Sequence, residues 1–354
     1  MCDLIQKLES KERLSEEEAY RLYDLDLFTL AKFAHQKRTA LHGKKVYFNI
    51  NRHINPTNIC ADTCKFCAFS AHRKNPNPYL MSHEEILNIV ADTQKRGTKE
   101  VHIVSAHNKD TTWQWYLEIF QKIKQNYPQI HIKALTAAEI DFIHRRWGLS
   151  YEEVVEKMLE YGVDSMPGGG AEIFDEEIRA KICKGKVSSE NWLKIHKIWH
   201  QKARQSNATM LYGHIEERHH RIDHMLRLRA LQDETGGFNA FIPLVWQKDN
   251  SFLDVKEQLD SEEILKTIAI SRLVLDNIKN IKAYWATMSL NLAMVAQEFG
   301  ANDLDGTIEK ESIQSAGGAK SARGTSLQTF IELIKTSNLI PVERDSLYNE
   351  LKIY

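Results

Sequence analysis

The chain has 354 residues, 42% hydrophobic and 27% charged, an ordinary globular composition that excludes a disordered or low-complexity polymer. With 47 Lys plus Arg against 48 Asp plus Glu the formal charge is -1, so no overall basic field gathers nucleic acid or anionic lipid, and the expected partner is a small molecule. No stretch approaches the roughly 18 consecutive apolar residues of a membrane span, and residues 1 to 18 lack the basic start and apolar run of a secretory signal, so a soluble cytoplasmic protein is expected.

Residues 10 to 40 predict two short amphipathic helices. SEEEAYRLYDL offers Ser15 as a cap with acidic residues in the first turn, and LFTLAKFAHQKR follows with helical apolar spacing. Residues 1–45 therefore read as an N-terminal helical cap. From about residue 46, short β-rich runs alternate with longer segments of helical period, the pattern of βα units on a parallel sheet. The strand candidates are VYFNINRHI, EVHIVSA, IHIKALT, VDSMP, ATMLYGHI, FNAFIPLVW, IKAYWATMS and a short one near NDLDG. Eight such runs predict an α/β fold closed as a (βα) barrel over 46–310, with an open doubly wound sheet as the alternative. Residues 311–354 read as a C-terminal helical extension packed on the barrel. In such a barrel the functional residues sit at the C-terminal ends of the strands and in the loops that follow.

The first strand runs into NPTNICADTCKFCAFS, where Cys60, Cys64 and Cys67 have the spacing CxxxCxxC. Five cysteines are an odd number, and three crowd into eight positions, which suits metal ligation rather than a disulfide framework. Cys2 and Cys183 stand alone and read as incidental thiols. Thiolates are the usual ligands of iron-sulfur clusters; a 4Fe-4S cube needs four attachments and this loop supplies three. In a radical enzyme the open iron takes the amino and carboxylate groups of S-adenosylmethionine, and the reduced cluster cleaves the sulfonium to a 5'-deoxyadenosyl radical. Two other readings of the loop are a zinc site completed by His53 or His72 and a four-ligand cluster that uses Cys183. Zinc sites normally pair their ligands as knuckles from two segments, and no second CxxC or HxxxH pair stands at a suitable distance. Phe66, the aromatic before the third cysteine, also matches the radical enzymes; a loop-packing ring is its plainer reading.

The segments NPTNICADTCKFCAFS, HIKALTAAEI, DSMPGGGAEIFD, NATMLYGHIE, LQDETGGFNAFIPL, GANDLDGTIEKE and PVERD make most of residues 45 to 345 resemble the aminofutalosine synthases, radical enzymes of the futalosine route to menaquinone. GGGAEI is shared with sister enzymes, whereas ATMLYGHIE with the tail pattern points to this member. The resemblance implies that S-adenosylmethionine is consumed as a co-substrate. The adenosyl radical would add to the vinyl carbon of 3-[(1-carboxyvinyl)oxy]benzoate, the aryl group would migrate from oxygen to carbon, and the pyruvyl carboxyl would leave, giving aminodeoxyfutalosine. It also implies a flavodoxin or ferredoxin electron donor and a homodimer. The neighbouring alternatives are the cyclic dehypoxanthine futalosine synthase and a deazaflavin-forming synthase; the alternative from another class is a noncatalytic iron-sulfur or zinc protein.

Beyond the cysteines, Gly168, Gly169 and Gly170 let the backbone approach a bound molecule, and Glu172 just after them can accept hydrogen bonds from ribose hydroxyls. A plain tight turn is the other reading. Thr136 and Glu139 end the third strand and face the mouth, with helix capping an equal role for Thr136. Ser105, Ala106, His107 and Asn108 stand where many radical enzymes carry a glycine-rich run for the methionine ammonium; the pattern departs here, leaving backbone carbonyls for that task. Related barrels place an arginine after the fourth strand for the methionine carboxylate, where this chain has Trp192. Arg179 is the substitute candidate, or else a solvated helix charge. His214 faces the mouth if the alternation from Met210 and Tyr212 is kept, as a substrate contact and proton mover, or else it is a core histidine. Asn239 and Asp305 are placed near later strand ends as substrate contacts. His220 and His224 have helical spacing without an HExxH pattern, and their helix, with Arg218, Arg221, Arg227 and Arg229, reads as a solvated face.

Overall fold

The computed structural model describes residues 2–71, 76–308, 312–319 and 324–354. Its first strand is one extended run broken at Ile50 into β1 (Lys45–Asn49) and β2 (Asn51–Ile54). There follow β3 (Glu100–Ile103), β4 (His131–Ala134), β5 (Ser206–Tyr212), β6 (Phe238–Val245), β7 (Asn280–Ile281) and β8 (Asp303–Gly306). Pairing is parallel from β2 to β3 to β4, from β5 to β6 to β7, and from β8 back to β1. Parallel bridges close the gaps: Lys133 to Ser165, Met166 to Ser206, and Lys282 to Asp303. The VDSMP run is thus a fourth strand reduced to two bridged residues, and the pairing returns to its starting strand. A closed ring replaces the alternative of an open sheet.

Local sequence explains the helices that separate the strands. Ser15 with Glu18, Ser82 with Glu85, Thr136 with Glu139 and Ser150 with Glu153 form reciprocal capping boxes, each cap contributing about 1 kcal/mol. Alternate strand residues such as Val101, Ile103, Ile132, Met210 and Phe241 are buried against those helices. The helix Leu27–His42 packs against Ser261–Val274, and Leu4, Leu8, Leu14 and Leu22 from the N-terminal segment join the same core.

The C-terminal segment differs from the expected helical extension. After the helix Leu327–Thr336 come two strands, β9 (Ile340–Arg344), parallel to β1, and β10 (Glu350–Ile353), antiparallel to β9. The break in the first strand is the cause. β3 joins it only from Ile50 onward, so the outer edge of β1 would be left with unpaired backbone groups, and β9 satisfies them. The helix Arg218–Thr235 also departs from a solvated face: His224 and Arg221 are buried, with Arg221 paired to Glu216 and Glu263 at 2.8 and 2.7 Å. Among the described residues no helix is long and apolar enough to cross a membrane.

Candidate functional site

A cavity opens at the C-terminal end of the ring. Inward strand positions line it with a period of two: His53 and Asn55, His102 and Val104, Asn207, Thr209 and Leu211, then Ile242 and Leu244. The loops add Cys60, Cys64, Phe66 and Cys67, then Ser105 to His107, Thr136, Gly168 to Gly170, Glu172 and Lys186. Most of the residues singled out in the sequence therefore meet in one place.

The cysteine loop is held by backbone bonds to its neighbours. Ala61 N–H donates to His107 O at 2.9 Å, Lys65 N–H to Ile182 O at 2.7 Å, and Cys67 N–H to Cys64 O at 3.2 Å. His107 stacks on Phe142 with ring centroids 4.9 Å apart and places Nδ1 2.9 Å from the Asp62 carboxylate. Burial would raise the pKa of Asp62, but His107 holds it below the usual carboxylate range. Burial pushes the Cys60 thiol up and the Cys64 thiol well up, so these sulfurs need a positive centre in place of their protons to become ligands. Among the described residues no group of three or more His, Cys, Asp or Glu is drawn together around a single ion. The three thiols open on one cavity, as the corners of a cuboidal cluster require of a single loop.

The competing ligands do not join them. Cys183 is buried at the end of the helix Glu176–Ile182 and does not line the cavity, though it lies near enough to Cys64 and Lys186 to act on both electrostatically. His53 lies on the strand, with its Nε2 3.3 Å from Nδ1 of His102, and His72 lies outside the described residues.

The glycine run and Glu172 form a fixed turn. A Cβ on Gly168 would stand 2.7 Å from Asn207 O, and one on Gly169 would stand 2.8 Å from Thr136 Cγ2. Glu172 itself has φ 47, a strained conformation for a side-chain-bearing residue. Its carboxylate accepts from the Lys186 ammonium at 2.6 Å. Arg179 is neither a cavity residue nor a solvated charge. It is 3% exposed and donates to the carbonyls of Gly170, Ala171, Ile173 and Val187, so it shapes the turn from behind. Trp192 adds a hydrogen bond from Nε1 to Gly169 O at 3.2 Å.

Thr136 lines the cavity and caps its helix, whereas Glu139 is buried behind it. The Glu139 carboxylate accepts from Ser105 N–H at 2.9 Å and Thr136 N–H at 2.7 Å, tying the ends of β3 and β4 together. Burial pushes its pKa up.

Two substrate candidates are misplaced by the sequence reading. The His214 side chain is fully buried outside the cavity lining. Nε2 donates to Leu211 O at 3.1 Å, and Nδ1 accepts from Ile215 N–H at 2.8 Å and stands 3.0 Å from the Glu216 carboxylate, so its contacts lie within its own turn. Burial lowers its pKa against the opposing pull of Glu216. Thr209 and Leu211 face the cavity, so Met210 and Tyr212 point outward, and Gly213 at φ 90 then ends the alternation. Asn239 stands at the start of β6, the end of the ring away from the cysteines, where it accepts from Asn207 and donates to Ser346 O at 3.1 Å. Asp305 does line the cavity, at φ 69, with its carboxylate 2.6 Å from Lys282. The sequence reading passed over His102, Asn207, Thr209 and Lys186. Polar residues at every second position of otherwise apolar strands were the available signal for the first three.

Residues 54–228 match the Radical SAM superfamily and residues 235–353 match the CofH/MqnC C-terminal region. The aminodeoxyfutalosine synthase of Thermus thermophilus is 40% identical, with 100% of this chain and 96% of that protein covered. The enzyme of the same name from Streptomyces coelicolor is 37% identical over 99% and 94%. A 5-amino-6-(D-ribitylamino)uracil–L-tyrosine 4-hydroxyphenyl transferase from Archaeoglobus fulgidus is 38% identical over 90% and 93%. Among solved structures, the FeFe-hydrogenase maturase HydG from Carboxydothermus hydrogenoformans superposes with a TM-score of 0.76 at 16% identity, covering 98% of this chain and 80% of that one. Methylornithine synthase (PylB) gives 0.73 at 16%, covering 96% and 97%. At such identities the structural likeness speaks for the fold alone.

Proposed function

The chain belongs to the aminodeoxyfutalosine synthases of the radical S-adenosylmethionine superfamily, and from that membership we propose how its residues carry the reaction. Cys60, Cys64 and Cys67 hold three irons of a 4Fe-4S cluster and leave the fourth for the methionine end of S-adenosylmethionine. When bound, the cluster supplies the electron that splits the sulfonium into methionine and a 5'-deoxyadenosyl radical. The observation that carries this reading is that three thiols of one loop and the Gly168 to Glu172 turn open on the same cavity.

Backbone groups at Ser105 and His107 face the methionine ammonium. Thr136 and Gly169 flank the nucleoside, Glu172 accepts from the ribose hydroxyls, and Phe66 packs beside the cofactor. The overall reaction joins the adenosyl carbon to the vinyl carbon of the enolpyruvyl benzoate and moves the aryl group from oxygen to carbon to leave a ketone. It releases the pyruvyl carboxyl as carbon dioxide together with the one electron spent on the sulfonium, so that it is redox-neutral. The apolar walls Ile242, Leu244, Trp246 and Tyr284 enclose the reacting groups, fix their approach and exclude water. A flavodoxin or ferredoxin in the cytoplasm serves as electron donor.

Anaerobic incubation of the reduced, cluster-loaded protein with S-adenosylmethionine and 3-[(1-carboxyvinyl)oxy]benzoate tests the reading. Formation of the adenosyl-aryl adduct is expected; free 5'-deoxyadenosine without adduct counts against it. The hydroxyphenyl transferase relative at 38% identity makes tyrosine with the ribitylaminouracil the appropriate comparison substrates, for which no product is expected.

A further inference from the structure

Below the mouth, the inside of the ring carries matched charges. Glu100 on β3 pairs with Lys133 on β4 at 2.8 Å, Lys282 with Asp305 at 2.6 Å, and Arg344 on β9 with Asp303 at 2.5 Å. Arg344 also stands 3.8 Å from Asp305. Each anion thus has a cation beside it. One step toward the mouth, His53 and His102 face each other in register across β2 and β3, rings edge to face with centroids 4.6 Å apart. Both line the cavity, and Nε2 of His102 is buried with no hydrogen-bond partner.

We propose that this imidazole pair forms the floor subsite for an anionic substituent of the substrate, the ring carboxylate of the aryl ether. The inference rests on the activity proposed above and names the contact that aims its substrate. The cysteines occupy the mouth, so a molecule lying between them and the floor presents one end to each. Ile242 and Leu244 suit an aromatic ring in between, and the buried nitrogen at the bottom calls for a polar end group.

Charge decides which polar group. Burial pushes His102 well below its ordinary range, with His53 and Lys133 adding to the effect and Glu100 and Asp305 opposing it. Without ligand the ring is neutral. A carboxylate beside it favours the imidazolium and completes a charge-assisted hydrogen bond. Burial would also raise Asp305, but Lys282 and Arg344 hold it at about 2, so its charge is already matched and does not repel the incoming group.

The test uses cluster-loaded protein with S-adenosylmethionine and two probes of the same shape, 3-hydroxybenzoate and 3-hydroxybenzamide, with dissociation constants measured by calorimetry. The wild type should prefer the acid by about tenfold or more, equivalent to about 1.4 kcal/mol. In His102→Asn and in His53→Gln that preference should shrink to about threefold or less, with the amide bound as before. Should one variant fail to fold, the other carries the comparison, and retained amide binding separates a lost anion contact from a damaged cavity. An unselective wild type, or a preference that survives in the variants, would overturn the subsite. If the acid preference behaves as stated while no adduct forms in the activity assay, the proposed reaction fails and the subsite stands.

Discussion

The Lys186 ammonium donates to Glu172 across 2.6 Å and stands 5.4 Å from the centre of the Phe66 ring, so one cation couples the cysteine loop to the glycine turn. Burial alone would lower its pKa, but the Glu172 carboxylate, with the nearby Cys64 and Cys183 sulfurs adding to it, raises it well above the ordinary lysine value. The glycine turn and the cysteine loop therefore share one electrostatic support.

Lys186→Met should leave the Glu172 carboxylate uncompensated in its mostly buried site and cost about 3 kcal/mol of stability. Lys186→Met combined with Glu172→Gln should recover part of that loss, because the unpaired charge is gone. Urea unfolding of the two variants and the wild type checks this; equal stability of the single and double variants would count against the coupling.

His214→Ala should act on stability and not on proton transfer. Removing the ring leaves Leu211 O and Ile215 N–H unsatisfied, costing about 1 to 3 kcal/mol. The shape of the kcat against pH curve should stay as in the wild type. A lost limb of that curve would restore His214 as a proton carrier.

Gly168→Ala should damage the turn, since the new methyl would meet Asn207 O at 2.7 Å and Ala208 C at 2.9 Å, both backbone atoms of β5. Strain of this kind costs about 1 to 3 kcal/mol. Equilibrium binding should also show weakened S-adenosylmethionine affinity; unchanged affinity would mean that the turn does not shape the cofactor pocket.

Acid should destabilise the fold early. Burial lowers His42 and His200 to about 4 and His224 to about 3, against about 6.5 in the unfolded chain. Between these values the unfolded chain binds more protons, so this stability is fully present above about pH 6.5 and is lost as pH falls through the folded values, at up to about 1.4 kcal/mol per pH unit for each ring. Urea midpoints at pH 7.5 and pH 5 should differ accordingly; equal midpoints would contradict the buried neutral state.

The ring was legible in the sequence because parallel strands leave a local mark, an apolar run between helical segments, and VDSMP was found despite contributing only the bridged residues Ser165 and Met166. Capping pairs such as Thr136 with Glu139 were equally local. β9 and β10 were missed because their pairing depends on an edge of β1 exposed by the break at Ile50, almost the whole chain away. His214 was misplaced because the inward face of β5 is held by Thr209 and Leu211 and not by Met210 and Tyr212. The ionic layer was hidden for another reason. Its partners lie 33, 23 and 41 residues apart, as in Lys133 with Glu100, Lys282 with Asp305 and Arg344 with Asp303, and only the pairing of the strands that carry them brings them together.

In the proposed function three thiolates bind the cluster and S-adenosylmethionine chelates its remaining iron. Electron-nuclear double resonance on the reduced protein, with S-adenosylmethionine labelled with nitrogen-15 at its amino group, tests it directly. The account predicts a nitrogen-15 coupling to the cluster in the wild type and in Cys183→Ser, and loss of the cluster signal in Cys64→Ala. An intact cluster in Cys64→Ala, or the absence of any nitrogen-15 coupling in the wild type, would contradict it.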